Sequence, residues 1–461
     1  MKSGSAVFSG KSLLQGIHDQ FKSVRDRREP LKIEIPMADA LMSVFAIFSL
    51  KFSSLLKFEE AMKVKVNFSN LKTLYQVSRV PSDTQMRTIL DDVETEDLRP
   101  IFKSLFLKAQ RAKILEKYKY MGNKYLLVLD GTQCFCSNEV SCESCMEKTV
   151  EKKDGEIVTS YYHQMLCGGL VKPGLNKVIP FYPEPIRKKL GEEINDSEIN
   201  AAHRFLKNFN EDHPRLKVVV LADALHANGP FVRDLKLMGM DFILNVKPGS
   251  HEKLFMHIQR WEKLKQIKSF VHEEEIGDKV KKKVMHEFQY TNDIILNHSN
   301  LDFSVNFVEY WETTQWVSPK GKLKEQKRHF SWVTSIELNE SNLMEVMRGG
   351  RARWKIENET FNTLKNQGYE FEHNFGHGYK NLSVNFSCIM VLTFLFDQLQ
   401  ELGCKLFQKA LKKNSNRRSY LFENIKGSYQ NNRVEFKDWV QFMEVMAGSA
   451  KWRFTLALDT S

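Results

Sequence analysis

YLLVLD, residues 125–130, is a short continuous apolar run that ends on an aspartate. LKVVVLADA, residues 216–224, has the same character, and MDFILNVKPG, residues 240–249, supplies a third run. Continuous apolar runs of this length are typical of strands buried on both faces. Helix-like segments at 195–209 and 228–239 separate the second run from its neighbours. The strand–helix–strand alternation predicts an α/β core with parallel strands.

The composition favours a soluble protein with a polyanionic partner. The chain has 461 residues, enough for two to four domains, and its formal net charge is +11. The mean hydropathy is −0.41 and the pI is about 9.1. Lysine and arginine neutralise phosphates and release counterions, so a basic chain favours nucleic acid or an anionic surface. Charge alone does not choose between DNA, RNA and lipid.

Two apolar runs were tested as membrane spans. They cover residues 40–50 and 386–396, and each ends at a charged residue, Lys51 or Asp397. Both are shorter than the roughly 18–20 residues that a span requires, so we predict buried helices and no membrane partner. The N-terminus lacks a long apolar segment, which predicts no secretory signal. Seven cysteines, four of them clustered, do not suggest a secreted disulfide scaffold, and we predict an intracellular protein.

Changes in pattern along the chain predict five regions. Residues 1–118 are rich in helical patterns and are a candidate for binding DNA ends, although a helical packing domain explains them equally well. Residues 119–250 and 336–400 form the two parts of the α/β core. Residues 251–335 alternate in the manner of antiparallel strands and include the basic loop SPKGKLKEQKRH. Residues 401–461 form a basic helical C-terminal region.

Three acidic residues occupy distinctive positions. Asp130 ends the first predicted strand, Asp223 ends a later strand, and Glu357 lies in the helix-like segment RARWKIENETF. Carboxylates at strand ends point into the crevice where α/β sheets bind ligands. Three carboxylates suit Mg²⁺, and two such ions roughly 3.5–4 Å apart stabilise an in-line phosphoryl displacement. A helix cap, a turn residue or a solvated helix face explains each acid taken alone, so spacing does not decide.

A cysteine cluster follows the first aspartate at once. Cys142 and Cys145 form a CxxC pair, which is a common half of a tetrahedral zinc site. We predict a structural zinc site, although free thiols in a reducing compartment remain an equal alternative. The predicted partners of the pair are Cys136 and His163, with Cys134 and Cys167 as alternatives.

The chain resembles the DDE transposases of bacterial insertion sequences, in particular the family with a β-strand insertion before the last glutamate. The resemblance lies in LLVLDGTQ, VVLADALHANGPFV, FILNVKPGSH and RARWKIENETFNTLKNQGYEFEHNFGHG, and it covers about residues 80–400. It implies an α/β fold with an RNase H-like mixed sheet flanked by helices and an inserted antiparallel β domain. It also implies that Asp130, Asp223 and Glu357 are the catalytic residues and bind Mg²⁺ or Mn²⁺.

The family has a tyrosine, arginine, glutamate and lysine signature along one helix. Arg353 and Glu357 match its central pair, one helical turn apart. The tyrosine position is Gly350 and the lysine position is Leu364, with Lys365 one residue later. One residue on a helix is a rotation of about 100°, so the lysine transfers only loosely.

Further residues are candidates for contacting DNA. Arg353 can bind a phosphate bidentately, with a salt bridge as the alternative. His226, three residues after Asp223, contacts DNA, orients a metal ligand or has a hydrogen-bonded structural role. The same three alternatives apply to His373 and His377. The remaining candidates are Lys247 and Lys365 for phosphates, and Trp311, Trp316 and Trp332 for a flipped base, unless these tryptophans are core residues.

The resemblance implies hydrolysis at the transposon ends followed by attack of the freed 3′-hydroxyl on target DNA. The expected partners are the terminal inverted repeats, target DNA and a second copy of the chain, in a dimer or larger synaptic complex. The expected location is the bacterial cytoplasm, at the nucleoid. Two alternatives remain open: an RNase H-like nuclease without strand transfer, and a non-catalytic DNA-binding protein derived from a transposase.

Overall fold

A mixed sheet runs through the protein, and three parallel strands lie at its centre. The computed structural model describes residues 8–142, 144–152, 154–187, 196–277, 281–297, 304–430 and 434–449. Within them, twelve strands form one sheet: β1 Lys119–Tyr120, β2 Lys124–Ser137, β3 Met146–Glu151, β4 Ile157–Lys172, β5 Leu175–Pro180, β6 Glu184–Ile186, β7 Val218–Ala222, β8 Asp241–Asn245, β9 Lys268–Ile276, β10 Lys282–Ile295, β11 Ser304–Val317 and β12 Leu323–Thr334.

The strand order is β3-β4-β2-β7-β8-β12-β11-β10-β9, and β1, β5 and β6 pair beside this path. Strands β2, β7 and β8 are parallel to one another, and every other pairing in the described sheet is antiparallel. Helices flank the sheet, so the predicted RNase H-like mixed α/β fold is confirmed. The helices are α1 Gly10–Phe21, α2 Met37–Ser49, α3 Leu55–Met62, α4 Lys65–Tyr75, α5 Asp83–Asp91, α6 Arg99–Arg111, α7 Glu198–Asp212, α8 Gly229–Leu237, α9 Glu252–Lys263, α10 Leu343–Arg351, α11 Asn362–Asn366, α12 Leu382–Gly403, α13 Lys405–Lys413, α14 Arg418–Gln430 and α15 Trp439–Met446.

The three apolar runs of the sequence form the central parallel strands. Every residue of β7 is buried, as is the apolar part of β2 from Leu126 to Leu129. Burial on both faces explains why these runs are continuously apolar and do not alternate. The first strand is longer than predicted: it continues past Asp130 to Ser137, because β4 pairs antiparallel with this whole extension.

The inserted strands extend the central sheet. Strand β12 pairs with β8 through Trp332–Asn245, Val333–Leu244 and Thr334–Ile243, and β11, β10 and β9 follow outward. The predicted basic loop at residues 318–329 is mostly strand. A tight turn over Ser318–Lys322 starts β12, and residues 323–329 are exposed strand residues paired with β11. Pairing with β11 outweighed the polar composition from which we predicted a loop.

The helices at the two ends of the chain pack on each other. Side chains of α4 bind the backbone near the C-terminus: Asn70 donates to the carbonyl of Val434 at 2.9 Å, and Thr73 donates to that of Phe436 at 2.7 Å. The N-terminal helical pattern is therefore not a separate body in the described structure. The division of the chain at residues 118, 250, 335 and 400 stays a prediction.

Both apolar runs tested as membrane spans are buried helices. By length and composition α12 is apolar enough to cross a membrane, but the window concerned is wholly buried inside the protein. All residues of α2 are buried as well. The two charges that end these runs meet in the core, where Lys51 Nζ lies 2.9 Å from Asp397 Oδ2 and over the ring of Tyr369. Burial of each charge is tolerated because the other neutralises it.

Candidate active site

Two of the predicted carboxylates lie where the parallel pairing of β2 and β7 ends. The last residues paired between the two strands are Val128 of β2 and Leu221 of β7. Asp130 comes two residues after Val128, and Asp223 comes two residues after Leu221. Asp223 comes directly after β7, as predicted. Asp130 lies within β2, and β4 holds it by pairing at Cys167. The end of the parallel register, and not the end of the strand, brings the two aspartates to one edge.

The third predicted carboxylate lies on an irregular helical segment that follows α10. A 3₁₀ turn covers Ala352–Trp354, and a π-helical turn covers Ile356–Phe361, before α11 begins. Glu357 lies in the π-helical turn and is partly exposed. Single π-helical turns interrupt the regular rise of a helix and are frequent at functional sites. The segment contacts both β2 and β7.

Arg353 connects two of the three carboxylates. Its Nη1 donates to Asp130 Oδ2 at 3.0 Å, and its Nη2 donates to Glu357 Oε1 at 2.8 Å. The side chain is 8% exposed. A buried guanidinium with both ends on carboxylates is a rigid fork that fixes the positions of its partners. Arg353 therefore lies in the carboxylate site itself and has little surface to offer to DNA.

His226 orients the second aspartate. Its Nδ1 lies 2.9 Å from Asp223 Oδ1, and the same oxygen accepts the backbone N–H of Leu225 at 3.0 Å. The His226 side chain is 1% exposed. We predicted a DNA contact, orientation of a metal ligand or a structural role for this residue. Its bond to Asp223 fits the second of these, and the DNA contact stays a prediction. The turn after β7 folds the histidine back onto the aspartate, under the Phe231 ring of α8.

A fourth carboxylate, which the sequence analysis missed, joins this site. Glu198 is the first residue of α7, and its carboxylate lies within 4.8 Å of the ligand atoms of Asp223 and His226. Gly131, beside Asp130, makes room for it: a Cβ there would lie 2.2 Å from Glu198 Oε2. No pattern in the sequence assigned Glu198 to the site. An acidic residue in the first turn of a helix, directly after the N-cap Ser197, is common because it interacts favourably with the helix dipole. We call these four acidic residues the carboxylate group: Asp130, Glu198, Asp223 and Glu357.

Crowding and burial change the acidity of this group. Burial raises the pKa of Asp130 to about 7, with further raising by Glu357 and Glu198 and opposition from Arg353. Burial also raises the pKa of Glu198, which His226 opposes. At Asp223 burial is outweighed by the hydrogen bonds from His226 and Leu225, so its pKa is lowered. The ionised forms of Asp130 and Glu198 are therefore destabilised, chiefly by burial and further by neighbouring carboxylates, whereas the ionised form of Asp223 is stabilised.

The chemistry of the donors fits a divalent cation. All four acids offer oxygen, which is the ligand type that Mg²⁺ and Mn²⁺ prefer. A cation there would offset the burial and the carboxylate repulsion that together raise the pKa of Asp130. Among the described residues, Glu198, Asp223 and His226 have ligand atoms within 4.8 Å of one another and could hold it. Asp130 and Glu357 are connected to each other through Arg353. Thiols, which would select softer metals, are absent from the described residues of this group.

The rest of the helix signature is explained by packing. Leu364, at the lysine position, is fully buried, and Lys365 beside it pairs with Glu372 at 2.6 Å. At the tyrosine position Gly350 has no space for a side chain, because a Cβ would lie 2.7 Å from the ring of Trp332. Trp332 itself is 1% exposed, so it is a core residue and does not hold a flipped base.

The remaining DNA candidates differ in exposure. Lys247 is exposed and lines a groove of about 970 Å³ that also contains Asp223 and His251. Trp311 stacks on His329, and Lys282 lies over Trp316. These two rings lie on β11, in the inserted strands, and are partly exposed. Their contact with DNA stays a prediction.

A second group of potential metal-donor side chains lies near His163 on β4. It consists of Cys142, Cys145, His163 and His377, whose ligand atoms all lie within 4.8 Å of one another, and is named here the thiol–imidazole group. The predicted ligand Cys136 is exposed and not part of it. Side chains alternate along a strand, and Phe135 is the β2 residue on the side of His163, which leaves Cys136 on the other face. Cys134 and Cys167 are buried elsewhere.

Comparison with known protein families identified a match over part of the chain. The family model described as transposase DDE domain matches residues 181–394, the segment that holds Glu198, Asp223, Arg353 and Glu357. A search of curated proteins found no match. The match supports a transposase or nuclease-like enzyme with DNA as its partner, while the insertion-sequence type and the subtype stay predictions. Residues 181–394 are thus similar to the DDE domain of transposases.

Proposed function

We propose that the protein is a metal-dependent DNA transposase that cleaves transposon ends and joins the freed 3′-hydroxyl to target DNA. The observation that carries the proposal is the convergence of Asp130, Asp223 and Glu357 on one edge of the sheet around the buried Arg353. These residues are far apart in sequence and come from two strands and a helical segment. A surface salt bridge or a helix cap does not require such convergence.

The chemistry would be phosphoryl transfer assisted by Mg²⁺ or Mn²⁺. When bound, the metal supplies Lewis acidity and lowers the pKa of the attacking water or hydroxyl. The protein's own residues would fix the positions of the metal-binding carboxylates. Arg353 holds Asp130 and Glu357 at a fixed separation, and His226 with the Leu225 N–H holds Asp223 ionised and oriented. We propose that Asp130, Asp223 and Glu357 are the catalytic metal ligands.

We propose that Arg353 and His226 are positioning residues. Both are buried and bonded to carboxylates, so their effect on DNA is exerted through the metal ligands. For direct phosphate contact we propose Lys247, which faces the groove that contains Asp223, and Lys365, which is partly exposed. The exposed basic half of β12, with Lys324, Lys327 and Arg328, is a further candidate surface.

The assembly and location follow from this function. Joining two transposon ends requires at least two active sites, so we propose a dimer or larger synaptic complex in the bacterial cytoplasm, at the nucleoid. We also propose that the N-terminal region, residues 1–118, contributes to binding the terminal repeats. Helix α2 is excluded as the recognition helix, because its residues are buried on all sides.

The test uses DNA ends taken from the sequence that flanks the gene. A pre-cleaved end with a 3′-hydroxyl is incubated with the full chain, Mg²⁺ and a supercoiled plasmid, and joined products are counted. We expect Mg²⁺-dependent joining. Nicking without joined product would identify the nuclease alternative instead. Binding of the ends with no strand breakage, in Mg²⁺ or Mn²⁺, would identify the non-catalytic DNA-binding alternative.

A further inference from the structure

The thiol–imidazole group gathers four donors from three separate parts of the chain. Cys142 and Cys145 come from the connection between β2 and β3, His163 from β4, and His377 from the segment between α11 and α12. Its four ligands are two sulfurs and two imidazole nitrogens, which is a donor set that zinc prefers. The proposed transposase chemistry uses none of the four.

The distances between the donors match a tetrahedron around a zinc ion. Zn–S bonds of about 2.3 Å and Zn–N bonds of about 2.0–2.1 Å imply edges of about 3.8 Å between sulfurs and about 3.6 Å between sulfur and nitrogen. The two sulfurs are 3.9 Å apart. Nε2 of His163 lies 3.5 Å from Cys142 Sγ and 3.7 Å from Cys145 Sγ, and Nε2 of His377 lies 3.1 Å from Cys145 Sγ.

These contacts are not those of a disulfide or of ordinary packing. A disulfide needs sulfurs about 2.05 Å apart, and free thiols do not require two imidazoles with the same ring nitrogen turned to them. Phe135 packs against both imidazole rings, with ring centroids 6.0 Å from His163 and 4.5 Å from His377. This apolar ring limits the access of water to the donors.

We propose that Cys142, Cys145, His163 and His377 bind one structural zinc ion. The site is closed, since four protein donors fill a tetrahedron and leave no position for water or substrate. Pairing of β3 with β4 already holds the cysteine segment beside His163, so the ion would add the segment that contains His377. In particular, it ties the segment after the Glu357 helix to β4, the strand that pairs with Asp130.

The decisive measurement is the metal content of the full-length protein. The protein is purified without chelator or an affinity tag that binds metal, and zinc is measured by mass spectrometry. We expect about one zinc per chain. Less than about a tenth of an equivalent, in protein from zinc-supplemented cells, overturns the proposal.

Matched variants assign the ligands. Cys145→Ser and His377→Gln should lose most of the zinc, whereas Cys136→Ser and His373→Gln should retain it, because both control residues are exposed and outside the group. Equal zinc in His377→Gln and His373→Gln contradicts the assignment. If the ligand variants do not fold, Co²⁺ replacement in the wild-type protein decides: a tetrahedral cobalt spectrum with sulfur-to-metal absorption supports the site, and an octahedral spectrum overturns it.

Discussion

The carboxylate group has Asp130 on β2 and the thiol–imidazole group has His163 on β4, the strand that pairs with β2, but the two groups are held in place by different means. Asp130 lies on β2, Asp223 directly follows β7, and Glu357 lies in a π-helical turn. Arg353 connects Asp130 to Glu357, and His226 binds Asp223. The second group has only His163 on a described strand, while Cys142, Cys145 and His377 lie in connections. The first group is therefore held by hydrogen bonds to buried side chains, whereas the proposed zinc ion would order the second.

We expect the largest effect on DNA cleavage from neutralising one proposed metal-binding carboxylate. Asp130→Asn keeps the size of the side chain and its bond to Arg353 while removing the negative charge. We expect cleavage to fall about 10³-fold or more, with an unchanged melting temperature to within a few degrees, because electrostatic stabilisation dominates this chemistry. Asp154→Asn, an exposed aspartate in the turn before β4, is the matched control. Retention of full activity in Asp130→Asn would contradict the proposed function.

The second effect tests the carboxylate that was found only in the structure. Glu198→Gln should lower cleavage by roughly 10- to 100-fold, the size typical of an outer partner of a metal site. The apparent Mg²⁺ affinity should fall with it, and a Mg²⁺ titration of the cleavage rate measures both. Glu211→Gln, at the exposed end of the same helix, should change neither. A Glu198→Gln variant with wild-type Mg²⁺ dependence would remove this residue from the site.

The third effect tests whether packing holds the carboxylate group. Gly350→Ala places a Cβ 2.7 Å from the buried Trp332 ring, three residues before Arg353. Overpacking of this kind costs about 1–3 kcal/mol, which should exceed the gain in helix propensity of about 1 kcal/mol and lower the melting temperature. Gly427→Ala is the control, because it lies in α14 with no atom within 4 Å of its Cβ and should stabilise the protein. A stabilised Gly350→Ala variant would show that this contact relaxes freely.

The smallest effect is local and concerns the second group. Stripping zinc with a chelator in the presence of excess Mg²⁺ should speed amide hydrogen exchange at residues 371–378 by about tenfold or more. The buried strand residues 126–129 should keep their protection, because the core packs without the ion. Exchange is followed by mass spectrometry of peptides. Uniform loss of protection in both segments would show that the two groups are one cooperative unit.

The sequence sufficed for the parts that obey a local pattern. The continuous apolar runs predicted β2, β7 and β8, and the apolar stretches around Phe45 and Phe394 were correctly interpreted as buried helices. The helix periodicity placed Arg353 one turn before Glu357, and the structure joins the two at 2.8 Å. These features depend on residues that are close together in sequence, so the local sequence pattern is enough to predict them.

The parts that the sequence did not predict depend on contacts between distant segments. Glu198 enters the site only because Gly131 leaves space beside β2, and His377 meets the cysteines across 232 residues. Cys136 was a wrong choice because the end of β2 was not predicted to continue as strand, so the face of each residue was unknown. Local composition also hid the strand character of residues 323–329, which β11 imposes.

The buried pair of Lys51 and Asp397 has a consequence for the synthesis of the protein. The two residues are separated by 346 positions, so at about 5–20 residues per second the lysine emerges roughly 20 to 70 seconds before its partner. During that interval helix α2 has an unmatched charge at its end and apolar residues on all sides. Because α2 packs on α12, we therefore expect α2 to complete its packing only after α12 has been synthesised.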